Sequence, residues 1–297
     1  MYTIFLGFAL LASAITINKL ILVTLSPTFF VALRMLASGA LLIGYHSYAS
    51  PRLRFKYIQD DIITILLIAF CATFVPSVLK AYALKYMVSS KAAFLGSLDP
   101  FITAFYAYIL WNERLKISQI LGIALAFMGT SLVLFMNSPQ EQTLTAWWVF
   151  SYPELAAIAA VFILRYGWIL AQKLLKAERY MPSELNGIIM FIGGLYALLA
   201  SVYFNECDFC TIPRTWEFFA LFSYTVIVGN IIAYTIYGYS LKHYNVTLVS
   251  LAGLSVPLWV HLYGPIILGE KLSLLFFVAL AIMAAGLALF NWTPKKI

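Results

Sequence analysis

Lys19, Arg34, Lys80, Asp99 and Arg165 carry charge inside stretches made almost wholly of apolar residues. An ionised side chain in hydrocarbon is costly unless it is paired or solvated, so each of the five is a candidate for function. Counting inward from the ends of those stretches, at about 1.5 Å of rise per helical residue, puts Lys19, Arg34 and Lys80 toward one membrane face. Asp99 and Arg165 fall near the middle. Four cations then answer to one acid, and Asp99 cannot neutralise them all. The balance must come from backbone carbonyls, or from a ligand bearing carboxylate or phosphate. The chemistry expected is electrostatic capture of an anionic or zwitterionic small molecule in a positive central hollow. Lys80 and Arg165 would hold the anion, and Asp99 would accept an amine or a proton. Two of the cations have plainer readings: Lys19 can snorkel outward, and Arg34 can clamp carbonyls of a neighbouring helix.

Polar side chains recur at helical spacing around these charges. Thr73, Pro76, Ser77 and Lys80 share one stripe; Asn230, Tyr234 and Tyr237 form another. Facing each other, the stripes would line a water-filled path; the alternative is a dry polar seam between helices. Ala92, Gly96, Asp99, Thr103 and Tyr106 give a small-residue face beside the acid. Pro100 removes a backbone donor just after it, and Pro257 does the same further on, so both are expected to kink their helices and act as hinges. Arg165, Trp168 and Gln172 form one side of another helix, where Trp168 either stacks on a ligand or packs. Ser250 and His261 lie on a further one; His261 either titrates during the working cycle or is a satisfied buried histidine. Glu113-Arg114 and Glu270-Lys271 end two helices and read as solvated loop anchors. The predicted binding set is Lys80, Asp99, Arg165, Trp168, Asn230, Tyr234, Tyr237 and Ser77.

The elements that must position these groups follow from composition. With 63% hydrophobic and 10% charged residues, the chain is expected to be an all-α integral membrane protein. Ten apolar spans are predicted, at roughly 3–25, 27–48, 61–84, 88–111, 117–137, 154–175, 184–204, 216–240, 246–268 and 272–292. The first lacks a basic n-region and a cleavage site and reads as a retained span. Residues 82–132 recur without a gap 157 positions later: Tyr82, Lys85, Gly96, Pro100, Glu113 and Gly129 return as Tyr239, Lys242, Gly253, Pro257, Glu270 and Gly286. Earlier spans match at slightly shorter offsets, Gly39 with Gly194 and Asn18-Lys19 with Gln172-Lys173. Five spans per copy is an odd number, so the second copy enters the bilayer upside down. The fold class expected is therefore ten transmembrane helices in two inverted five-helix repeats, residues 1–146 and 147–297.

Lys and Arg concentrate on one side of this arrangement, among them Arg52, Arg54, Lys56, Arg114, Lys116, Lys173, Lys176 and Arg179, which places both termini in the cytoplasm. That bias accounts for the net charge of +7 without a nucleic-acid partner. Trp147, Trp148, Phe150 and Tyr152 form an aromatic patch at the interface between the copies. Cys207 and Cys210 form C-x-x-C in a short loop and are either a labile disulfide or two loop thiols. No metal set and no cofactor is expected. A single deep acid offers no acid/base pair for an enzyme, and a passive channel would not need two inverted copies.

The stretch ALKYMVSSKAAFLGSLDPFITAFYAYILWNERLKISQILGIALAFMGTSLVLF, and its echo SLKHYNVTLVSLAGLSVPLWVHLYGPIILGEKLSLLFFVALAIMAAGLALF, resemble the EamA-type family of the drug/metabolite transporter superfamily. The residues that carry the likeness are Leu84, Lys85, Tyr86, Asp99, Pro100, Glu113, Arg114 and Leu115, then Leu241, Lys242, Pro257, Gly269, Glu270, Lys271 and Leu272. Asn112, where glycine is usual, and Lys80, where an apolar side chain is common, depart from it. The resemblance implies a secondary active carrier with a central cavity, in a bacterial inner membrane. It would move an anionic or zwitterionic metabolite, an amino acid favoured and export the direction, by alternating access. A nucleotide-type or phosphorylated cargo taken up or exchanged is the alternative, and coupling to protons or a counter-substrate stays open. The partners expected are that small-molecule substrate and membrane lipid.

Overall fold

The computed structural model describes residues 2–49, 58–111, 116–134, 144–147, 150–177, 179–207, 209, 212–236, 253 and 255–290. Its helices are α1 (Tyr2–Leu22), α2 (Pro27–Ala49), α3 (Ile58–Ile68), α4 (Val75–Tyr86), α5 (Ser89–Gly96), α6 (Asp99–Trp111), α7 (Ile117–Leu134), α8 (Tyr152–Lys176), α9 (Pro182–Tyr203), α10 (Trp216–Tyr224), α11 (Ser255–Leu268) and α12 (Leu274–Phe290). Among the described residues, six helical stretches are long and apolar enough to cross a membrane: Phe5–Leu22, Pro27–Tyr48, Ile58–Tyr86, Tyr152–Lys176, Pro182–Tyr203 and Trp216–Ile236. Ile117–Leu132, Ser255–Leu268 and Leu274–Phe290 are shorter apolar helices. Leu6, Ile63, Leu67, Phe127, Leu199 and Ile266 point outward and exposed, as an apolar solvent permits. A two-stranded hairpin, β1 (Thr145–Trp147) with β2 (Phe150–Ser151), leads into α8.

Two helices contain π-helical turns, and these fall at matching places in the sequence repeat. Ala69–Phe74 joins α3 to α4, and Thr225–Ile232 continues α10. A π-turn inserts an extra residue, which rotates everything beyond it relative to the preceding helix. A third irregularity is a break. The span expected across 88–111 is two helices, because the chain turns at Ser97–Leu98 between α5 and α6. Pro100 therefore sits in the first turn of α6, where its missing N–H leaves no bond unmade, rather than kinking a continuous rod.

The two membrane faces are fixed by contacts at the ends of α2 and α9. Ser26 Oγ donates to the Glu206 carbonyl (3.2 Å) at one face, and His46 Nε2 meets Ser183 Oγ (2.9 Å) at the other. Also at the second face, Arg179 bridges both oxygens of Asp61 at 2.9 and 3.1 Å, and the Tyr180 hydroxyl adds to the same carboxylate.

Between the faces, α2 packs on α9 and α7 on α12; α4 packs on α8, and α1 on α11 and on the second π-turn. Lipid tails are as apolar as leucine, so close backbone approach rather than apolar burial must hold such helices together. Glycine permits it. A Cβ on Gly39 would lie 2.5 Å from the Phe191 backbone nitrogen, and one on Gly194 would lie 2.7 Å from that of Leu36. The other seam is built the same way, with Gly122 against the Gly286 carbonyl and Gly129 against that of Ala279.

Gly39→Ala should lower the unfolding midpoint of the purified protein by the equivalent of about 1–3 kcal/mol, since two backbones must part. Gly44→Ala, on the same helix with open space around it, should not. Equal midpoints would show that the α2–α9 seam is not held at glycine distance.

Candidate functional site

α1, α2, α4, α5, α6, α8, the second π-turn and α11 enclose a cavity of about 430 Å³, within the ~300–1,000 Å³ usual for small-molecule sites. Of the residues expected from the sequence, Lys80, Asp99, Arg165, Trp168, Asn230, Tyr234 and Ser77 all line it. Tyr237 lies outside the described residues. Pro100 borders the cavity, and Pro257 is buried near the start of α11.

The charges inside are unevenly matched. Arg165 makes a two-point ion pair with Asp99: its Nε donates to Oδ1 at 3.0 Å, and a terminal nitrogen contacts Oδ2. Asp99 opens α6, where the positive end of the helix dipole also stabilises its carboxylate. Lys80 has no acid of its own among the described residues; it is attracted by Asp99 and repelled by Arg165 and Arg34. Arg34 lies over the Phe30 ring at 5.2 Å, and its buried Nε has no hydrogen-bond partner. Neither terminal amine group of Arg34 clamps a carbonyl among the described residues, so the cavity reading of this side chain is the one that fits. Among the described residues, three cations and one acid therefore share the hollow.

Lys19 is not among them. Its ammonium donates to Glu270 Oε1 and to the Met87 carbonyl, both at 2.6 Å, which is neither outward snorkelling nor a place in the cavity. Glu270 is accordingly no solvated loop anchor. Gly269, with φ +68°, turns the chain back after α11, and the Glu270 N–H returns to the Gly264 carbonyl. Its side chain is folded inward, 14% exposed, and caps the start of α5. Glu113-Arg114, Ser250, Cys210 and Trp148 lie outside the described residues. Cys207 packs, partly buried, against the core around Phe29 and Phe30.

The stripes hold in part. Thr73 turns away from the cavity and packs under Gly193 of α9, because it lies within the first π-turn, which rotates it out of line with Ser77 and Lys80. Asn230 faces the cavity but is engaged: it donates to Ser38 Oγ at 2.9 Å. Tyr106 leaves the acid's face and donates to the Phe162 carbonyl at 3.2 Å. His261 is a satisfied core histidine, stacked on Phe276 at 4.0 Å and accepting from the Ser273 N–H at 3.2 Å. The lining residues outside the predicted set include two carboxamides, Asn18 and Gln172. Their signal was present, since they are matched positions of the two sequence copies.

The EamA-like transporter family model matches residues 1–135 and again 151–292. The chain belongs to the EamA-like transporter family. It is a transporter rather than an enzyme. Among curated proteins, an S-adenosylmethionine/S-adenosylhomocysteine transporter of Chlamydia muridarum is 26% identical, over 96% of this chain and 90% of that one. The Chlamydia trachomatis serovar L2 protein of the same description is 26% identical over 96% and 88%. A chloroplastic WAT1-related protein of Arabidopsis thaliana is 24% identical over 94% of this chain and 66% of its own. A solved crystal structure superposes with a TM-score of 0.63 at 17% identity, covering 98% of this chain and 94% of the other, which shows a shared fold.

Asp99→Asn should lower the unfolding midpoint by the equivalent of about 1–3 kcal/mol, because Arg165 loses its carboxylate. That is less than the ~3–5 kcal/mol of a fully buried pair, since both partners retain access to the hollow. Combining it with Arg165→Gln should restore part of the loss. Additive losses in the double variant would show that the two do not act as a pair.

Proposed function

We propose that this transporter is a secondary carrier in which two halves of inverted topology, 1–146 and 147–297, rock about the central cavity and move a small zwitterionic or anionic metabolite. The observation that carries the reading is the charge imbalance: among the described residues Lys80 and Arg34 line a cavity without acidic partners, beside one Arg165–Asp99 pair. A carboxylate on the cargo supplies one of the two missing negative charges and can sit between both cations. Asp99 is placed to receive an amine, and Trp168 and Tyr234 offer flat surfaces to a ring.

Inversion is supported by the reciprocity of the packing. The Gly39–Phe191 contact has its counterpart in Gly194–Leu36, and Gly122–Gly286 in Gly129–Ala279; the π-turns also match. Such reciprocity is what a twofold axis in the membrane plane produces. The bias of Lys and Arg supports cytoplasmic termini, with the Ser26–Glu206 face outside, and a bacterial inner membrane is the setting that the chlamydial relatives favour.

The cargo is proposed to be an amino acid joined to a larger ring-bearing body, of the S-adenosylhomocysteine type, as the names of the relatives suggest. Between the two molecules in those names, the positive cavity favours the thioether zwitterion over the sulfonium, which adds a positive charge. A second reading, a phosphorylated or nucleotide-type cargo, rests on the same two unmatched cations, which suit a dianion. A dianionic cargo would cancel the excess positive charge of the hollow, whereas a zwitterion pairs its cations locally and leaves the total unchanged, so under the second reading exchange of cargo for cargo is the favoured mode over net export.

Proteoliposomes preloaded with S-adenosylhomocysteine should show saturable counterflow of the labelled compound, competed weakly by S-adenosylmethionine and more weakly by free amino acids. Lys80→Met should reduce that flux more than tenfold, the equivalent of over ~1.4 kcal/mol, with insertion and elution profile unchanged. Undiminished flux in Lys80→Met sinks the site assignment. Competition by nucleoside phosphates but not by S-adenosylhomocysteine would select the second reading.

A further inference from the structure

Asn18 and Gln172 occupy matched positions in the two sequence copies, and both line the cavity, yet their surroundings differ. Asn18 lies four residues from the end of α1 near the Ser26 face, is 7% exposed, and its Oδ1 has no hydrogen-bond partner. Gln172 lies four residues from the end of α8 at the opposite face and is exposed. Their neighbours follow suit: Lys19 is drawn into an ion pair, and Lys173 is exposed. The hollow is sealed at its Asn18 end.

The seal is made of few contacts, and they join the two halves of the chain. Lys19 of α1 meets Glu270, in the turn between α11 and α12, at 2.6 Å. The same carboxylate takes the Ser89 N–H at 3.0 Å and its hydroxyl at 2.5 Å, and so holds the start of α5. Gly264 makes room: a Cβ there would come within 3.0 Å of Glu270 Oε2. A second ion pair, Lys91 with Glu154 at 2.5 Å, joins α5 to α8 nearby. The two pairs differ in wetness. Lys91 and Glu154 are 0% and 2% exposed, and Glu154 also closes the capping box of α8 with Ser151. Separating them would strand two charges without water. Lys19 and Glu270 are 20% and 14% exposed, and water can replace each partner as they part.

We infer that Lys19, Glu270 and Ser89 form the gate at the Ser26 face of this carrier, with Lys91–Glu154 as the strut that stays closed while the gate opens. The inference rests on the proposed alternating-access reading, of which it names one device. In the gate-open state Glu270 leaves Lys19 and the α5 terminus, Asn18 becomes accessible from the Ser26 face, and Gln172 becomes enclosed.

The test uses full-length protein with Cys71, Cys207 and Cys210 replaced by serine, and Asn18→Cys or Gln172→Cys as reporters for a membrane-impermeant maleimide. Glu270→Gln should raise labelling at position 18 from the Ser26 face by about tenfold and lower it at position 172, as expected of a shift between two states. The exchange Lys19→Glu with Glu270→Lys restores the ion pair but leaves Ser89 without its acceptor, so it should return both rates part of the way toward the parent, which also shows that the variants fold. Unchanged labelling at 18 in Glu270→Gln, or a rise at both positions, overturns the gate. Among the described residues Lys80 is no partner of Lys19, Glu270 or Ser89, so without cargo Lys80→Met should keep parental labelling, and adding Glu270→Gln to it should still give the gate response. Undiminished counterflow in Lys80→Met with that response intact would show a wrong cargo site and a right gate; lost counterflow with no response to Glu270→Gln would show a right cargo site and a wrong gate.

Discussion

An ionised side chain surrounded by hydrocarbon needs a partner, and that constraint arranges this protein from its faces to its centre. At one face Lys19 answers to Glu270 and Lys91 to Glu154; at the other Arg179 answers to Asp61. In the centre Arg165 answers to Asp99. Once these are matched, Lys80 and Arg34 are the cavity-lining cations left without an acid among the described residues. A charge left without a partner is a poor device for stability. It is a good device for binding, because the cargo's own anion completes the set only while it is present.

Helix packing divides the molecule into stiff and compliant parts. The α2–α9 and α7–α12 seams lie away from the cavity and are closed at glycine distance, where a methyl group would strike backbone. Interfaces of that kind have little room to slide. Around the cavity the chain is irregular instead: the second π-turn, the Ser97–Leu98 break, and prolines in the first turns of α6 and α11. Irregular backbone at membrane depth is tolerated where it lines a hollow. The same irregularity leaves helices free to change direction there, so the proposed rocking places its bending at the cavity and its rigid bodies outside.

The sequence made the membrane character legible through composition, and most of the cavity lining through helical spacing. Lys80 and Ser77, or Arg165 and Trp168, fall on one side of a helix by arithmetic alone, and the cost of exposing them to lipid sends that side inward. Thr73 escaped the arithmetic because a π-turn adds a residue that no propensity announces. The partnership of Lys19 with Glu270 joins positions 251 apart, and Glu270 looked solvated because Lys271 follows it. The clue was Gly269, whose positive φ folds the chain back over α11. Asn18 and Gln172 were visible as matched positions, and Gln172 as a neighbour of Arg165 and Trp168, but carboxamides carry no charge and so were not placed in the binding set. Their unequal burial belongs to one conformational state, which periodicity does not encode.

The proposed gate and the cargo site are joined by a very short element. α5 has eight residues, about 12 Å at helical rise. Its first residue is held by Glu270, and its third, Lys91, by Glu154. Its last precedes the break at Ser97–Leu98, after which Asp99 opens α6 and meets Arg165. A helix this short, about two turns, transmits a tilt from end to end rather than absorbing it. Release of Glu270 would leave α5 held by the Lys91–Glu154 pair, so the helix would pivot there and displace the break. Displacing the break moves Asp99 against Arg165, inside the cavity. Conversely, a cargo amine that draws Asp99 away from Arg165 would pull on the same break and strain the contact between Ser89 and Glu270. Coupling of this kind needs no long pathway, because one rod touches both sites, and it is reciprocal as linkage requires.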